Sequence, residues 1–223
     1  MLFNSFAFII FFTIVCFLYF GFSPRYRWIL LLAASYFFYG YWNVSYLFLI
    51  FFTTITVFVT ALLMERYRAH KKLFVLLSLV INLGILFTFK YFNFFNNTIK
   101  SISELIGSDY SFQSLEVLLP VGISFYTFQA LSYTIDVYRE EIKPETHFGI
   151  FALYVSFFPQ LVAGPIERST NLLPQFKKNY DYDYTRISEG LKLMAWGFFK
   201  KLVIADRLAI YVNEVYNNVG DFS

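Results

Sequence analysis

The stretch "WILLLAASYFFYGYWNVSYLFLIFFTTITVFVTALLM", residues 28–64, contains no charged side chain. A helix needs about 20 apolar residues to cross the hydrocarbon core of a bilayer, so this stretch is too long for one crossing. Near its middle, the segment "GYWN" (residues 40–43) combines a helix-breaking glycine with aromatic residues typical of membrane interfaces. The stretch therefore predicts two membrane-spanning helices joined by a tight turn.

The composition of the whole chain indicates the same class of protein. Hydrophobic residues make up 58% of the 223 positions and charged residues only 15%, well outside the average of soluble proteins. The net charge of +3 is spread over connecting segments and forms no basic stripe, which argues against nucleic-acid binding. We therefore expect a protein whose main partner is the lipid bilayer.

The remaining apolar segments extend this prediction to an all-α polytopic membrane protein. We expect residues 1–223 to form a single transmembrane domain with about six to seven transmembrane helices, plus interfacial or re-entrant helices. The first segment lacks the basic start and the small-residue cleavage site of a signal peptide, so we expect it to be retained. The predicted spans are residues 2–22, two helices within 28–64, 73–89, 117–138 with Pro120 in its first turn, 148–163, and a broken, partly interfacial helix over 191–216.

The basic connections predict the orientation. Arg25 and Arg27 lie in the first connection and Arg66, Arg68, Lys71 and Lys72 in the third, whereas the second has no charge. Since cytoplasmic connections carry the excess of lysine and arginine, the first and third should be cytoplasmic. This places the N-terminus outside a cytoplasmic (inner) membrane and makes the connection over residues 90–116 external.

Polar side chains inside the predicted spans are candidate functional groups, because ionisable groups in hydrocarbon are costly. Gln129 and Asp136 punctuate the fifth span, and Asp136 is close enough in sequence to pair with Arg139 one helical turn later. Two interpretations remain open for this pattern: an ion pair that ends the helix at the interface, or a helix face that lines a cavity.

A second pattern is the interrupted stretch "SFFPQLVAGPIERSTNLLPQF", residues 156–176. Its prolines each remove a backbone donor, so the helix must kink and then stop, leaving carbonyls near Ser156 and Val162 in need of partners. Such irregular backbone survives in a membrane only where protein or a water-filled cavity covers it. We expect a re-entrant edge beside a buried polar site, followed by a short helix at the surface. The alternative is that the prolines merely end a helix that a charge pair caps. The candidate path-lining residues are Gln129, Asp136, Gln160, Gly164, Pro165, Glu167 and Arg168.

No residue is predicted to be catalytic or to bind a metal. His70 lies in a basic loop, and His147 lies at the mouth of the sixth span without a serine, cysteine or paired aspartate at helical spacing. Cys16 is alone within the first span, so the chain offers no disulfide or zinc framework.

Three stretches resemble one family in order and spacing. "LPVGISFYTFQALSYTIDVYR" (residues 119–139), "SFFPQLVAGPIERSTNLLPQF" and "GFFKKLVIADRLA" (residues 197–209) are similar to the N-terminal half of the membrane-bound O-acyltransferase family. The resemblance is to the bacterial branch that includes the alginate O-acetylation proteins. It covers essentially the whole chain, although the first hundred residues match only in hydropathy and aromatic pattern.

The resemblance implies a ring of tilted helices with funnels from both sides that meet near a catalytic histidine. It implies an acyl donor such as acetyl-CoA or an acylated carrier on the cytoplasmic side, no bound cofactor, and transfer to hydroxyls of a cell-surface polysaccharide. It also suggests an acetyl-transfer partner in the periplasm or outside the cell.

Family members are longer, and their histidine lies downstream of the last matching stretch. We therefore expect this chain to be an N-terminal part that needs a C-terminal half or a downstream gene product, and its enzymatic status stays open. The alternative is a non-enzymatic membrane component, such as a transporter subunit or a scaffold.

Overall fold

A computed structural model describes residues 1–107, 119–161 and 164–219, and these residues form helices without any strand. The prediction of an all-helical fold is confirmed. The α-helices are α1 (Phe6–Gly21), α2 (Arg27–Gly40), α3 (Tyr46–Arg66), α4 (Lys71–Leu86), α5 (Phe92–Ile106), α6 (Ile123–Tyr138), α7 (Phe148–Ser156), α8 (Phe158–Leu161), α9 (Ser169–Lys177), α10 (Tyr184–Phe199) and α11 (Asp206–Asn217).

The chain divides into two compact units. The larger unit holds Met1 and residues 13–179, and in it α3, α4 and α6 pack against one another, with α2 and α7 alongside. Its core is built from apolar and aromatic side chains that are almost fully buried. They include Ile50 and Val57 of α3, Tyr126 and Tyr133 of α6, and Phe151 and Tyr154 of α7.

The smaller unit holds residues 2–12 and 180–219 of the described chain. In it, α10 and α11 are joined by a π-helical segment, Lys200–Ala205, so the chain is helical without a gap from residue 184 to residue 217. That the last span is broken or partly interfacial stays a prediction. The helix begins earlier than predicted, at Tyr184, because Asp183 caps it by accepting a hydrogen bond from the Arg186 backbone N–H. Its apolar side chains, including Trp196 and Leu208, are exposed.

The turn predicted at residues 40–43 is confirmed, since α2 ends at Gly40 and α3 begins at Tyr46. The prediction that the fourth helix ends at residue 89 and is followed by a connection over residues 90–116 is wrong as far as Ile106, whereas the external position of this segment stays a prediction. The chain continues helically from α4 through a π-helical segment, Phe87–Tyr91, into α5. Hydropathy falls after residue 89, which is why the sequence predicted the end of the helix at this point. Apolar residues nevertheless still recur at helical spacing, and the helix continues. Residues 108–118 lie outside the described residues.

The start of α6 differs from the prediction of a span beginning at residue 117 with Pro120 in its first turn. Residues 117 and 118 lie outside the described part, and α6 begins at Ile123, after a turn in which the Pro120 carbonyl accepts the Ile123 N–H. Gly122 caps the helix with a φ of +78°, and a Cβ there would lie 2.7 Å from the carbonyl oxygen of Leu161. Only glycine fits this combination of left-handed backbone and close contact without strain.

Among the described residues, two helical runs are long and apolar enough to cross a bilayer: Tyr46–Arg66, and the 39-residue run Arg68–Ile106. Phe6–Gly21 and Phe148–Leu161 are apolar but shorter. These helices support a membrane location, whereas the number of six to seven spans stays a prediction.

Candidate functional site

The predicted break in the sixth span lies between α7 and α8. Pro159 has no backbone N–H, and Phe157 adopts a non-helical conformation with ψ of 111° between the two helices. In a continuous helix, the N–H of Phe158 would donate to the carbonyl of Tyr154. It donates instead to the Ser35 hydroxyl oxygen in α2, at 3.2 Å. The break therefore leaves the Tyr154 carbonyl without its helical donor.

Two glutamine side chains supply replacement donors to this carbonyl. Nε2 of Gln129 in α6 lies 2.8 Å from the Tyr154 carbonyl oxygen, and Nε2 of Gln160 in α8 lies 3.2 Å from it. Both glutamines are buried, at 4% and 8% exposure. Because a buried carbonyl without a donor is costly, this pair satisfies the backbone that the break exposes. The structure thus brings two of the predicted path-lining residues to one atom.

The Tyr154 side chain links the break to the segment that follows it. Its hydroxyl lies 3.3 Å from the carbonyl oxygen of Glu167 and 3.5 Å from that of Gln129, and the side chain is fully buried. Glu167 is half-buried, and its carboxylate accepts a hydrogen bond from the Asn171 side chain at 3.1 Å. One tyrosine therefore ties α6, α7 and the start of α9 together.

At Gly164 the chain packs closely against the backbone of α8. Its N–H donates to the carbonyl of Gln160 at 3.0 Å, and a Cβ at this position would lie 2.4 Å from the Gln160 Cα. The close approach predicted here for another chain or a ligand is thus made by the backbone of Gln160. Pro165, next along the chain, is exposed. Residues 162 and 163, and with them the Val162 carbonyl, lie outside the described residues.

Arg168 is exposed and begins α9 with an extended backbone, and its carbonyl accepts the N–H groups of Asn171 and Leu172. Among the described residues, its side chain forms no ion pair with Glu167. The short helix predicted after the break is confirmed as α9. It lies less at the surface than expected, since Leu172 and Leu173 are buried.

Of the two interpretations left open for Asp136, the ion pair with Arg139 does not form in the described structure. Asp136 is buried, and its carboxylate accepts a hydrogen bond from the Ser169 hydroxyl of α9 at 2.8 Å. Arg139 lies at the end of α6, where its side chain is exposed and forms an ion pair with Glu141 at 3.7 Å. The two side chains leave the helix in different directions, one toward the protein interior and one toward the outside.

Three residues of this assembly were not among the predicted ones: Ser35, Tyr154 and Ser169. Ser35 is a buried hydroxyl in an otherwise apolar helix, so the rule that flagged Gln129 would have flagged it too. The prolines predicted that carbonyls near Ser156 would need partners, and the Tyr154 carbonyl is such a group, but the sequence did not indicate which side chains would supply the donors.

Both histidines have structural positions that differ from that of a general base. His147 caps α7, since its Nδ1 accepts the Ile150 N–H at 3.2 Å, and its ring contacts Trp28 edge-on at 4.8 Å between centroids. The carboxylate of buried Glu145 accepts the backbone N–H of His147 and forms an ion pair with Lys177 at 2.6 Å. His70 is exposed. The described residues contain no group of three metal-ligating side chains.

In this arrangement, buried hydrogen bonds from three helices stabilise the break between α7 and α8 and the segment that follows it. Gln129 and Asp136 contribute from α6, Ser35 from α2 and Gln160 from α8. It can fix backbone and amide groups within an apolar helical bundle. The assembly therefore acts by positioning these groups.

Proteins of known name match the chain over almost its full length. A peptidoglycan O-acetyltransferase of Helicobacter pylori is 36% identical over 229 residues, covering 90% of this chain and 42% of that protein. Proteins named as probable alginate O-acetylase AlgI are each 38% identical and cover 97% of this chain and 42% of their own length, over 220 residues in Pseudomonas syringae pv. tomato and 224 in Pseudomonas aeruginosa.

The chain thus spans about two fifths of the length of these relatives. No family model matches the chain, and no solved structure matches it significantly. The resemblance inferred from the three stretches is confirmed by the names and the extent of these matches. The chain is therefore similar, over 90% or more of its length, to part of proteins named for O-acetylation of peptidoglycan and alginate.

Proposed function

We propose that the chain is part of a membrane enzyme that transfers an acetyl group to hydroxyls of a cell-surface polysaccharide. The observation that carries this proposal is the identity of 36–38% to proteins named for O-acetyl transfer, over 90% or more of the chain. This similarity favours acyl transfer over the alternative of a transporter subunit or scaffold.

The assembly around Tyr154 contributes to this function by position. Acyl transfer needs a donor thioester and an acceptor hydroxyl held in near-attack geometry. Small displacements of these reacting groups lower the rate strongly. The amides of Gln129 and Gln160 fix the break between α7 and α8, and Gly164 sets the course of the chain beyond it. We propose that this break forms one wall of the path by which donor or acceptor reaches the reacting centre.

The general base is proposed to lie in the part of the relatives beyond the matched region. A neutral imidazole can deprotonate the acceptor hydroxyl as it attacks the thioester carbonyl, and the thiol then leaves. His70 and His147 are not placed for this role, since one is exposed and the other caps a helix. Acetyl-CoA or an acylated carrier would supply the acetyl group, and a separate acetyl-transfer partner would act outside.

The test uses membranes that contain the full-length protein, with radiolabelled acetyl-CoA and an acetylated carrier protein as alternative donors. We expect alkali-labile label in the polysaccharide with one of the donors. His147→Asn should retain this activity, because asparagine caps a helix well. Absence of label with both donors, in well-folded protein, would contradict the proposed function. Loss of activity in a folded His147→Asn protein would instead make His147 a candidate base.

The proposed orientation has the N-terminus outside a cytoplasmic membrane. Two contacts support it by bringing the basic connections to one end of the larger unit. Lys71 pairs with Glu140 after α6, and Trp28 at the start of α2 contacts His147 at the start of α7. Positive charge gathered at one end is what the cytoplasmic side of a membrane protein typically carries.

Cysteine labelling tests this orientation. In a Cys16→Ser background, cysteines introduced at the exposed positions Arg25 and Lys72 should be shielded from a membrane-impermeant thiol reagent in intact cells, and one at Glu104 should be labelled. Permeabilised cells provide the control, in which all three should react. Labelling of the first two and protection of the third in intact cells would reverse the orientation.

A further inference from the structure

A cavity of about 200 Å³ lies where α3 ends, α4 begins and α6 ends. It is distinct from the assembly around Tyr154. Its lining combines charged side chains with an apolar side that includes Met64. The charged residues are Glu65, Arg68, Lys71, Glu140 and Lys143. A cavity with three cations and two carboxylates beside apolar surface is suited to an amphipathic ligand with an anionic group.

The charges in the cavity are only partly compensated. Nζ of Lys71 lies 2.5 Å from the Glu140 carboxylate, and Arg68 lies 3.3 Å from Glu65. Lys143 forms no ion pair with any of the residues that the structure describes. The cavity therefore has one excess positive charge, carried by a side chain free to bind an anion.

Glu140 occupies a backbone position that normally selects glycine. Its φ is +65°, and the N–H groups of Glu140 and Glu141 donate to the carbonyls of Val137 and Asp136, both at 3.0 Å. This is the Schellman arrangement that ends many helices, with its left-handed residue at the C′ position. A residue other than glycine is strained in this backbone conformation, and such strain is often found at functional positions. Here the carboxylate reaches Lys71, which lowers the pKa of Glu140 and keeps it ionised.

The cavity lies at the level of lipid headgroups if α3 spans the membrane. The helix is apolar as far as Met64, and charge begins at Glu65. Basic pockets between helices at a membrane surface are typical binding sites for anionic headgroups, and each lysine or arginine near the surface contributes to that attraction. An acyl chain of such a lipid could lie along the apolar surface of the neighbouring helices.

We propose that this cavity binds the phosphate of an anionic phospholipid. Lys143 and Lys71 supply the charge that attracts the phosphate, and the carboxylate of Glu140 competes with it for Lys71. Lipid binding then exchanges an internal ion pair for a protein–lipid pair. The proposal does not depend on acyl transfer, since it rests on residues at the end of α3, the start of α4 and the end of α6.

The test uses the protein extracted in a neutral detergent. Bound lipid is counted by native mass spectrometry, and the melting temperature is measured with added phosphatidylglycerol, phosphatidylcholine or inorganic phosphate. We expect phosphatidylglycerol to bind and to stabilise the protein, and phosphatidylcholine to do neither. Lys143→Ala should weaken phosphatidylglycerol binding by roughly fivefold, and Glu140→Gln should strengthen it by roughly fivefold.

Lys72→Ala is the matched control, because Lys72 is exposed in the first turn of α4, beside Lys71, and does not line the cavity. Its binding should equal that of the wild type. Equal losses in Lys72→Ala and Lys143→Ala would show general surface attraction and overturn the proposed site. A full stabilisation by inorganic phosphate alone would overturn the lipid assignment. No gain in Glu140→Gln would overturn the competition for Lys71.

Discussion

Replacing both Gln129 and Gln160 with leucine should destabilise the protein by more than the sum of the two single replacements. Either amide alone can donate to the Tyr154 carbonyl, so each single variant leaves that carbonyl with one donor. The double variant leaves it buried and unpaired, which costs about 1–3 kcal/mol. Thermal unfolding in detergent, arranged as a double-mutant cycle, measures this excess.

Gln175→Leu is the control for the loss of a glutamine as such, since Gln175 is exposed on α9. Its effect should lie within about 0.5 kcal/mol of the wild type. Additive losses of stability in the cycle would mean that the two amides do not share the Tyr154 carbonyl. This result would contradict the proposed stabilisation of the helix break.

Gly164→Ala should have a second large effect, on activity more than on stability. Its methyl group would lie 2.4 Å from the Cα of Gln160, so the backbone of the break must move. Overpacking of this kind typically costs about 1–3 kcal/mol. A displacement of about 1 Å near a reacting centre can cost on the order of a hundredfold in rate. In the full-length protein, we therefore expect acetyl transfer to fall by about that factor.

Gly84→Ala is the matched control for this variant. Gly84 lies inside α4 with open space around the position of a Cβ, so alanine should be neutral or stabilising there. Thermal unfolding and acetyl transfer are measured on both variants. Full activity and wild-type stability in Gly164→Ala would show that this close contact has no functional consequence.

Local rules predicted those features of the fold that depend on neighbouring residues. The glycine and aromatics of residues 40–43 predicted the turn between α2 and α3, and Pro159 predicted the break after α7. The same reasoning failed at residues 90–106, because a helix can continue after its hydropathy falls. Hydropathy reports the surroundings of a segment, whereas helix formation also depends on spacing and on continuity with the preceding turn.

The candidate site shows the same division. Intramembrane polarity identified Gln129, and the proline-interrupted stretch identified Gln160. Their common partner is a backbone carbonyl that lies 25 residues from Gln129 in sequence. An ion pair with Arg139 was one of two interpretations open for Asp136, whereas its hydrogen-bond donor is Ser169, on α9. Which groups meet depends on how helices pack, and local sequence patterns do not contain that information.

We propose that this chain serves O-acetyl transfer to a cell-surface polysaccharide. The most direct measurement is the acetyl-ester content of that polysaccharide in a strain whose gene is deleted, with and without the restored full-length gene. Our account predicts that the deletion removes the esters and that the wild-type gene restores them, without any assumption about the acetyl donor. Unchanged ester content on every surface polysaccharide of the deletion strain would contradict it.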